Sequence, residues 1–263
     1  MIQLSNPDLF LIAGPCVVES AEISHKIASK ALQACDEAGI RFIFKASYRK
    51  ANRTKANSFT GLGNEQALEI IAQIGAELKV STLTDVHSPE EAVLAAQYVD
   101  VLQIPAFLCR QTDLLIAAAQ TGKIINIKKG QFMSALSMQY AVEKVRLQGN
   151  NQIILTERGN MFGYNDLIVD FRNIPIMKSF GVPVVLDVTH ALQKPNQESG
   201  ITGGQPDMIE TLAKAGIAAG VNGIFLETHP NPQKALSDGA NMLPLDKLPA
   251  LLKKLVNLKK GLL

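Results

Sequence analysis

The chain has 263 residues, 47% hydrophobic and 19% charged, a balance that excludes a disordered or low-complexity protein and supplies apolar mass for a full core. Its net charge is only +2, its lysines and arginines are spread out, and it has four tyrosines, ten phenylalanines and no tryptophan. That leaves no basic tail or stacking surface for nucleic acid, and no run approaches the ~20 apolar residues of a membrane span.

Residues 1–10 lack the basic start and long apolar run of a signal peptide. Three scattered cysteines make no disulfide framework. A soluble, cytoplasmic protein without a membrane partner is expected.

Apolar β-rich runs alternate with amphipathic helical patterns from end to end. The first predicted strand, 10–17, precedes a helix over 21–38 with the stripe Ile23, Ile27, Ala31 and Cys35, closed by Gly39 as C-cap. A strand at 41–47 leads to a helix over 65–78 carrying Leu68, Ile71, Ile74 and Leu78. After a strand at 79–86, Ser88, Pro89 and Glu91 mark a helix start with cap, first-turn proline and early acid. Strands follow at 101–105, 124–128, 152–157, 183–189 and 223–228, and a last helix near 246–260 buries Leu248, Leu251, Leu252, Leu255 and Leu258.

Most of these strands are continuous apolar runs, as in a parallel sheet covered on both faces. Eight strand–helix units of about 33 residues match the spacing of a (β/α)8 barrel. The doubly wound alternative lacks a Gly-x-Gly-x-x-Gly after the first strand. With no composition break, the predicted fold class is α/β, a single (β/α)8 TIM barrel forming one catalytic domain over 1–263.

Active sites of such barrels lie at the C-terminal ends of the strands. Those ends read Cys16; Lys45; Asp85 and His87; Gln103; Lys128 and Lys129; Glu157 and Arg158; Asp187 and His190; Glu227 and His229. The opposite end shows Gly39, Gly122, Gly181 and Gly220 instead. Lys45, Lys50, Arg53, Arg110, Lys128 and Arg158 form a cationic set suited to phosphate and carboxylate ligands. Taken alone, Lys50 and Lys129 read as solvated surface lysines, whereas Lys45 and Lys128 lie inside apolar strands. Cys16, His190, Glu227 and Asp238 form a second set, able to meet only if the last strand closes on the first. Thiolate, imidazole and two carboxylates suit zinc, ferrous iron or manganese, although Cys16 also reads as a small buried hydrophobe. Cys35 is read as a buried hydrophobe and His25 as a surface residue.

These strand-end segments carry a signature. Phe44-Lys45-Ala46-Ser47, continuing through Lys50-Ala51-Asn52-Arg53-Thr54, resembles the KANRS element of the 3-deoxy-D-manno-octulosonate 8-phosphate synthase family. Thr84-Asp85-Val86-His87, Gln103-Ile104-Pro105-Ala106-Phe107, Arg110-Gln111-Thr112-Asp113 and Asn126-Ile127-Lys128-Lys129-Gly130-Gln131-Phe132 agree in order and spacing. So do Thr156-Glu157-Arg158-Gly159, Phe162-Gly163-Tyr164, Asp187-Val188-Thr189-His190, Glu227-Thr228-His229-Pro230 and Ser237-Asp238-Gly239. The chain departs at Thr54, where serine is usual, and at Gly203-Gly204-Gln205-Pro206, which lacks the arginine that often follows the glycine pair.

The resemblance implies condensation of phosphoenolpyruvate with D-arabinose 5-phosphate and water, in lipopolysaccharide biosynthesis, by a homotetramer. It puts Lys128, Arg158 and the Ala106 amide on the phosphoenolpyruvate phosphate, and Lys45, Lys50 and Gln103 near its carboxylate. Asn52, Arg53 and Thr54 fall on the aldose, with Arg110 reaching its phosphate from a neighbouring subunit. Lys45, Lys50, Asp85, His190 and Asp238 are the implied catalytic groups. Cysteine at position 16 is similar to the metal-requiring members, implying a divalent ion on Cys16, His190, Glu227 and Asp238; asparagine marks the metal-independent ones. The alternative substrate is erythrose 4-phosphate, used by related heptulosonate synthases, which carry a KPRTS-like element instead. A Schiff-base aldolase using Lys45 or Lys128 is a further alternative.

Overall fold

The computed structural model describes residues 9–51, 59–161, 166–194 and 203–262. Eight parallel strands form the barrel: β1 (Phe10–Gly14), β2 (Arg41–Lys45), β3 (Ser81–Asp85), β4 (Val101–Ile104), β5 (Ile124–Lys128), β6 (Ile153–Glu157), β7 (Val184–Asp187) and β8 (Gly223–His229). Each pairs with the next in sequence, and β8 pairs back onto β1 with Phe10 opposite Gly223 and Gly14 opposite Glu227. Eight helices follow in alternation: α1 (Ala21–Ala38), α2 (Asn64–Leu78), α3 (Pro89–Ala95), α4 (Thr112–Gln120), α5 (Gln139–Arg146), α6 (Asn173–Lys178), α7 (Ile209–Ala218) and α8 (Leu248–Gly261). The predicted (β/α)8 barrel is therefore the observed one.

Side chains alternate across each strand, so the apolar runs serve two cores. Inside the barrel pack Phe10, Ile12, Ile43, Leu83, Val101, Ile124, Ile154, Val185 and Phe225. Between strands and helices lies the larger core, to which α1 contributes Ile27, Ala28, Ala31 and Cys35. Ser20 caps α1 by accepting the Ile23 N–H at 3.1 Å, a contact worth about 1 kcal/mol. The glycines expected on the opposite face, Gly39, Gly122, Gly181 and Gly220, all take positive φ.

Strand limits differ from expectation for local reasons. β1 stops at Gly14 because Pro15 has no N–H to continue the ladder. β3 begins at Ser81 because Lys79, at φ +55°, is the left-handed C-cap of α2. β7 ends at Asp187, whose carboxylate accepts the Thr189 and His190 N–H groups at 3.1 and 2.9 Å and turns the chain. α8 buries Leu248, Leu251, Leu252 and Leu255 as predicted, while Leu258 is only half-buried. Short ribbons not anticipated from the sequence, Asn160–Met161 with Leu167–Ile168 and Gln193–Lys194 with Gly203–Gly204, follow β6 and β7. Leu243–Pro244 extends alongside the end of β8.

At the top of β1 the backbone approaches β2 so closely that a Cβ on Gly14 would sit 1.8 Å from the Lys45 carbonyl oxygen. Beyond it, Ser47 donates its N–H to Cys16 O at 3.2 Å and accepts the Val18 N–H at 3.0 Å. Gly14 thus lets Cys16 lie against Lys45. Replacing it, Gly14→Ala, is expected to cost about 1–3 kcal/mol or more of overpacking, read as a lower urea midpoint.

Candidate active site

Two residues above the inner apolar core, the same alternation turns a polar layer inward. Ile43 is followed on its face by Lys45, Leu83 by Asp85, Val101 by Gln103, and Val185 by Asp187. Ile124 leads to Asn126 and Lys128, Ile154 to Thr156 and Arg158, and Phe225 to Glu227. All these polar groups but Asp85 are buried to within 6% of full coverage.

On the β1–β2–β8 side, Lys45 Nζ donates to Glu227 Oε1 at 2.7 Å and to the Cys16 carbonyl at 3.0 Å. Lys50 Nζ donates to Asp238 Oδ2 at 2.8 Å. The Cys16 thiol lies 3.4 Å from both Asp238 Oδ2 and Ser237 Oγ. Burial pushes the Cys16 thiol well above its ordinary pKa, and Glu227 adds to the rise. Burial also opposes charge on Lys45 and Glu227, but each holds the other ionised: Lys45 is raised and Glu227 lowered. For Asp238 the same contest between burial and the Lys50 and His190 charges ends at about 2. Asp238 adopts φ +49°, a backbone that only a small polar residue accepts readily.

Ligand atoms of Cys16, Glu227 and Asp238 all lie within 4.8 Å of one another. Glu227 Oε2 is buried without a hydrogen-bond partner among the described residues. A thiol, two carboxylates and an unsatisfied carboxylate oxygen fit a borderline divalent ion. His190, the fourth expected ligand, stands beside this trio rather than in it, its Nε2 3.6 Å from Glu227 Oε1.

On the β5–β7 side, Asp187 Oδ2 takes both Lys128 Nζ at 2.6 Å and His190 Nδ1 at 2.8 Å. Burial would raise the Asp187 carboxyl, yet His190 and Lys128 hold it far below the carboxylate range. The ring of Phe225 floors both halves: Lys128 Nζ lies 3.9 Å and Lys45 Nζ 5.7 Å from its centroid, a cation–π arrangement worth about 2 kcal/mol when desolvated. Arg158 Nη2 donates to Gln193 Oε1 at 3.1 Å, while its buried Nη1 has no partner among the described residues. Burial pushes this guanidinium below its usual pKa, against the pull of Asp187 and Glu157.

Between the halves runs a chain of hydrogen bonds. Thr156 Oγ1 donates to Asn126 Oδ1 at 2.7 Å, and Asn126 Nδ2 to Gln103 Oε1 at 2.8 Å. Gln103 Nε2 and Ser47 Oγ then donate to the two Asp85 oxygens. Asp85 is pushed up by burial but held well below its ordinary range by Lys45 and Lys128.

Several sequence readings need correction. Lys129 is no solvated lysine: it is fully buried, donating to Asn160 Oδ1 at 2.9 Å and pairing with Glu157 Oε1 at 3.3 Å. One residue past Lys128, it projects to the outer side of the barrel wall. There Glu157 accepts the Arg158 and Gly159 N–H groups at 2.9 and 2.7 Å and the Asn173 amide at 2.9 Å. Lys50 is likewise paired, not solvated. Cys35 is the expected buried hydrophobe, and His25 the expected surface residue, paired with Glu77 at 3.3 Å. Ala106 opens the 3₁₀ turn after β4, and Arg110 stands exposed just beyond. Asn52, Arg53 and Thr54 lie outside the described residues, as does Phe162-Gly163-Tyr164.

The sequence reading missed Phe225, Asn126, Ser47 and Thr156, and gave Asp187 no partner. Asn126 and Thr156 carried a usable signal, being polar residues in phase with Lys128 and Arg158 within apolar strands. Phe225 carried none.

A profile described as the DAHP synthetase I family matches residues 3–263. A protein of Trichlorobacter lovleyi named 2-dehydro-3-deoxyphosphooctonate aldolase is 52% identical over 247 residues, covering 94% of this chain and 91% of that protein. Proteins of the same name from Koribacter versatilis (51% identical, 99% of this chain and 94% of the relative) and Brucella ovis (49%, 94% and 90%) are similar over comparable spans.

The buried Lys129–Glu157 pair predicts an asymmetric response. Lys129→Met leaves Glu157 charged and partly unpaired, and is expected to cost about 3–5 kcal/mol in chemical unfolding. Adding Glu157→Gln should return part of that loss.

Proposed function

The chain belongs to the DAHP synthetase I family, and we propose that it condenses phosphoenolpyruvate with D-arabinose 5-phosphate and water to give 3-deoxy-D-manno-octulosonate 8-phosphate and phosphate. The observation that carries this reading is the convergence of Lys45, Lys50, Lys128 and Arg158 on one barrel mouth, in a chain about half identical to relatives named for an octonate. That name favours the five-carbon aldose over erythrose 4-phosphate. The whole of 1–263 acts as one catalytic domain, and the chain is a transferase-type synthase.

In this reading Lys128, Arg158 and the Ala106 N–H take the phosphoenolpyruvate phosphate, and the unpartnered Arg158 Nη1 supports that role. Lys45, Lys50 and Gln103 take its carboxylate. Asn52, Arg53 and Thr54 hold the aldose. The third carbon of phosphoenolpyruvate attacks the aldehyde carbon, water adds at the second carbon, and phosphate leaves with carbon–oxygen cleavage. Asp85, His190 and Asp238 complete the catalytic set with Lys45 and Lys50. Alignment of two bound reactants can contribute about 7–11 kcal/mol at best. A Schiff base is disfavoured, because Glu227 keeps Lys45 protonated and Asp187 occupies Lys128.

Cys16, Glu227 and Asp238, with His190 adjacent, hold a divalent ion such as zinc, ferrous iron or manganese. When bound, it supplies Lewis acidity toward an aldehyde oxygen or a water. The chain works as a homotetramer with Arg110 reaching a neighbouring subunit's aldose phosphate; exposed Phe107, Phe132, Leu136 and Tyr140, on and after the loops that follow β4 and β5, support a covered face there. Three unpaired cysteines agree with a reducing cytoplasm.

Phosphate release from phosphoenolpyruvate should depend on arabinose 5-phosphate; preference for erythrose 4-phosphate would reverse the substrate assignment. Chelator-treated protein should lose nearly all turnover and regain it with a divalent transition ion. Cys16→Ala should not be rescued, while Cys16→Asn should keep some metal-independent turnover. Full activity after exhaustive chelation, with no metal by elemental analysis, would remove the ion from the mechanism.

A further inference from the structure

The segment bearing Asp238 is tied to the segment bearing Cys16 by a carboxylate that touches neither. Glu19 lies three residues past Cys16, and its side chain is only 5% exposed. Its Oε1 accepts the Leu236 backbone N–H at 2.9 Å, two residues before Asp238. Its Oε2 faces His229 Nε2 at 3.7 Å, and the His229 side chain is equally covered. His229 Nδ1 accepts the Asn231 N–H at 3.0 Å. His229 Nε2 is itself buried with no hydrogen-bond partner among the described residues, and Glu19 is the carboxylate it faces.

Between this anchor and the site the chain has little slack. Asp238 leads directly into a 3₁₀ turn over Gly239–Asn241, its carbonyl accepting the Asn241 N–H at 3.0 Å. Gly239 lies so close to Pro232 that a Cβ there would be 2.0 Å from the Pro232 carbonyl oxygen. A displacement of Leu236 is therefore passed to Asp238 rather than absorbed in the loop.

We propose that Glu19 is a positioning residue, which through the Leu236 N–H sets the Asp238 carboxylate against Cys16 and Glu227, with His229 orienting Glu19 from behind. The proposal rests on the divalent-ion reading of those three ligands. Glu19 acts on the site only through where it puts Asp238, so its effect belongs in ion affinity and ligand geometry.

The test titrates metal-free wild type, Glu19→Ala, Glu19→Gln and His229→Asn with Co²⁺, reading the thiolate-to-cobalt absorption band and competition with a chromophoric chelator. Thermal midpoints are measured alongside. Glu19→Ala is expected to weaken Co²⁺ binding by about 10- to 100-fold and to alter the band. Glu19→Gln keeps an oxygen for the Leu236 N–H and should stay near wild type. His229→Asn keeps the acceptor for Asn231 but removes the group facing Glu19, and should fall between. Wild-type affinity and band in Glu19→Ala overturn the positioning role, whatever happens to the midpoint. Equal weakening in the Ala and Gln variants, following their loss of thermal stability, overturns it as well. A wild-type protein that gives no band at any Co²⁺ concentration instead overturns the divalent-ion reading, and this proposal with it.

Discussion

Charge removed from water must be matched by opposite charge, and at this barrel mouth each lysine is. Lys45 has Glu227, Lys50 has Asp238 and Lys128 has Asp187, at 2.7, 2.8 and 2.6 Å. An unmatched ion in such surroundings costs several kcal/mol, so the partners must arrive together. Each pair joins elements far apart in sequence, and this ties the polar layer to the closed barrel. The pairs add little net stability over apolar packing of equal volume. What they provide is a set of cations already oriented and desolvated, able to exchange a carboxylate for an anionic reactant without large reorganisation.

The two halves of the layer are not independent. Phe225 lies beneath both Lys45 and Lys128, and its ring centroid is 5.7 Å from that of His190, the two rings tilted by 52°. Asp85 answers to Lys45 and Lys128 together, and the Gln103–Asn126–Thr156 chain carries hydrogen bonding from β3 to β6. Substitutions on opposite sides of the mouth are consequently expected to be non-additive.

The architecture was legible because apolar strand runs and amphipathic helices alternate at a regular spacing, and because the strand ends are polar while the opposite end carries glycines. Cys16, Lys45, Asp85, Gln103, Lys128, Asp187 and Glu227 could be read from that rule alone. What could not be read was that a charge facing away from the mouth is buried and paired as well. Lys128 and Lys129 are neighbours in sequence and lie on opposite sides of the barrel wall, one in the mouth and one behind it. Nor could the partner of each charge be read, since Lys45 and Glu227 meet only through closure. Phe225 was indistinguishable from any other apolar strand residue. Lys79 looked like the start of a strand because nothing in its side chain announces a left-handed cap.

The seam between β1 and β8, with Gly14 opposite Glu227, has a consequence for synthesis. As the chain leaves the ribosome, Cys16 emerges early and Glu227 and Asp238 emerge late. Until they arrive, the first strand has an open edge, and Lys45 and Lys50 lack their carboxylates. No nascent fragment ending before β8 can therefore assemble the thiol–carboxylate trio or a neutralised mouth. The thiol–carboxylate trio and the charge-matched mouth come together only in the final stage of translation.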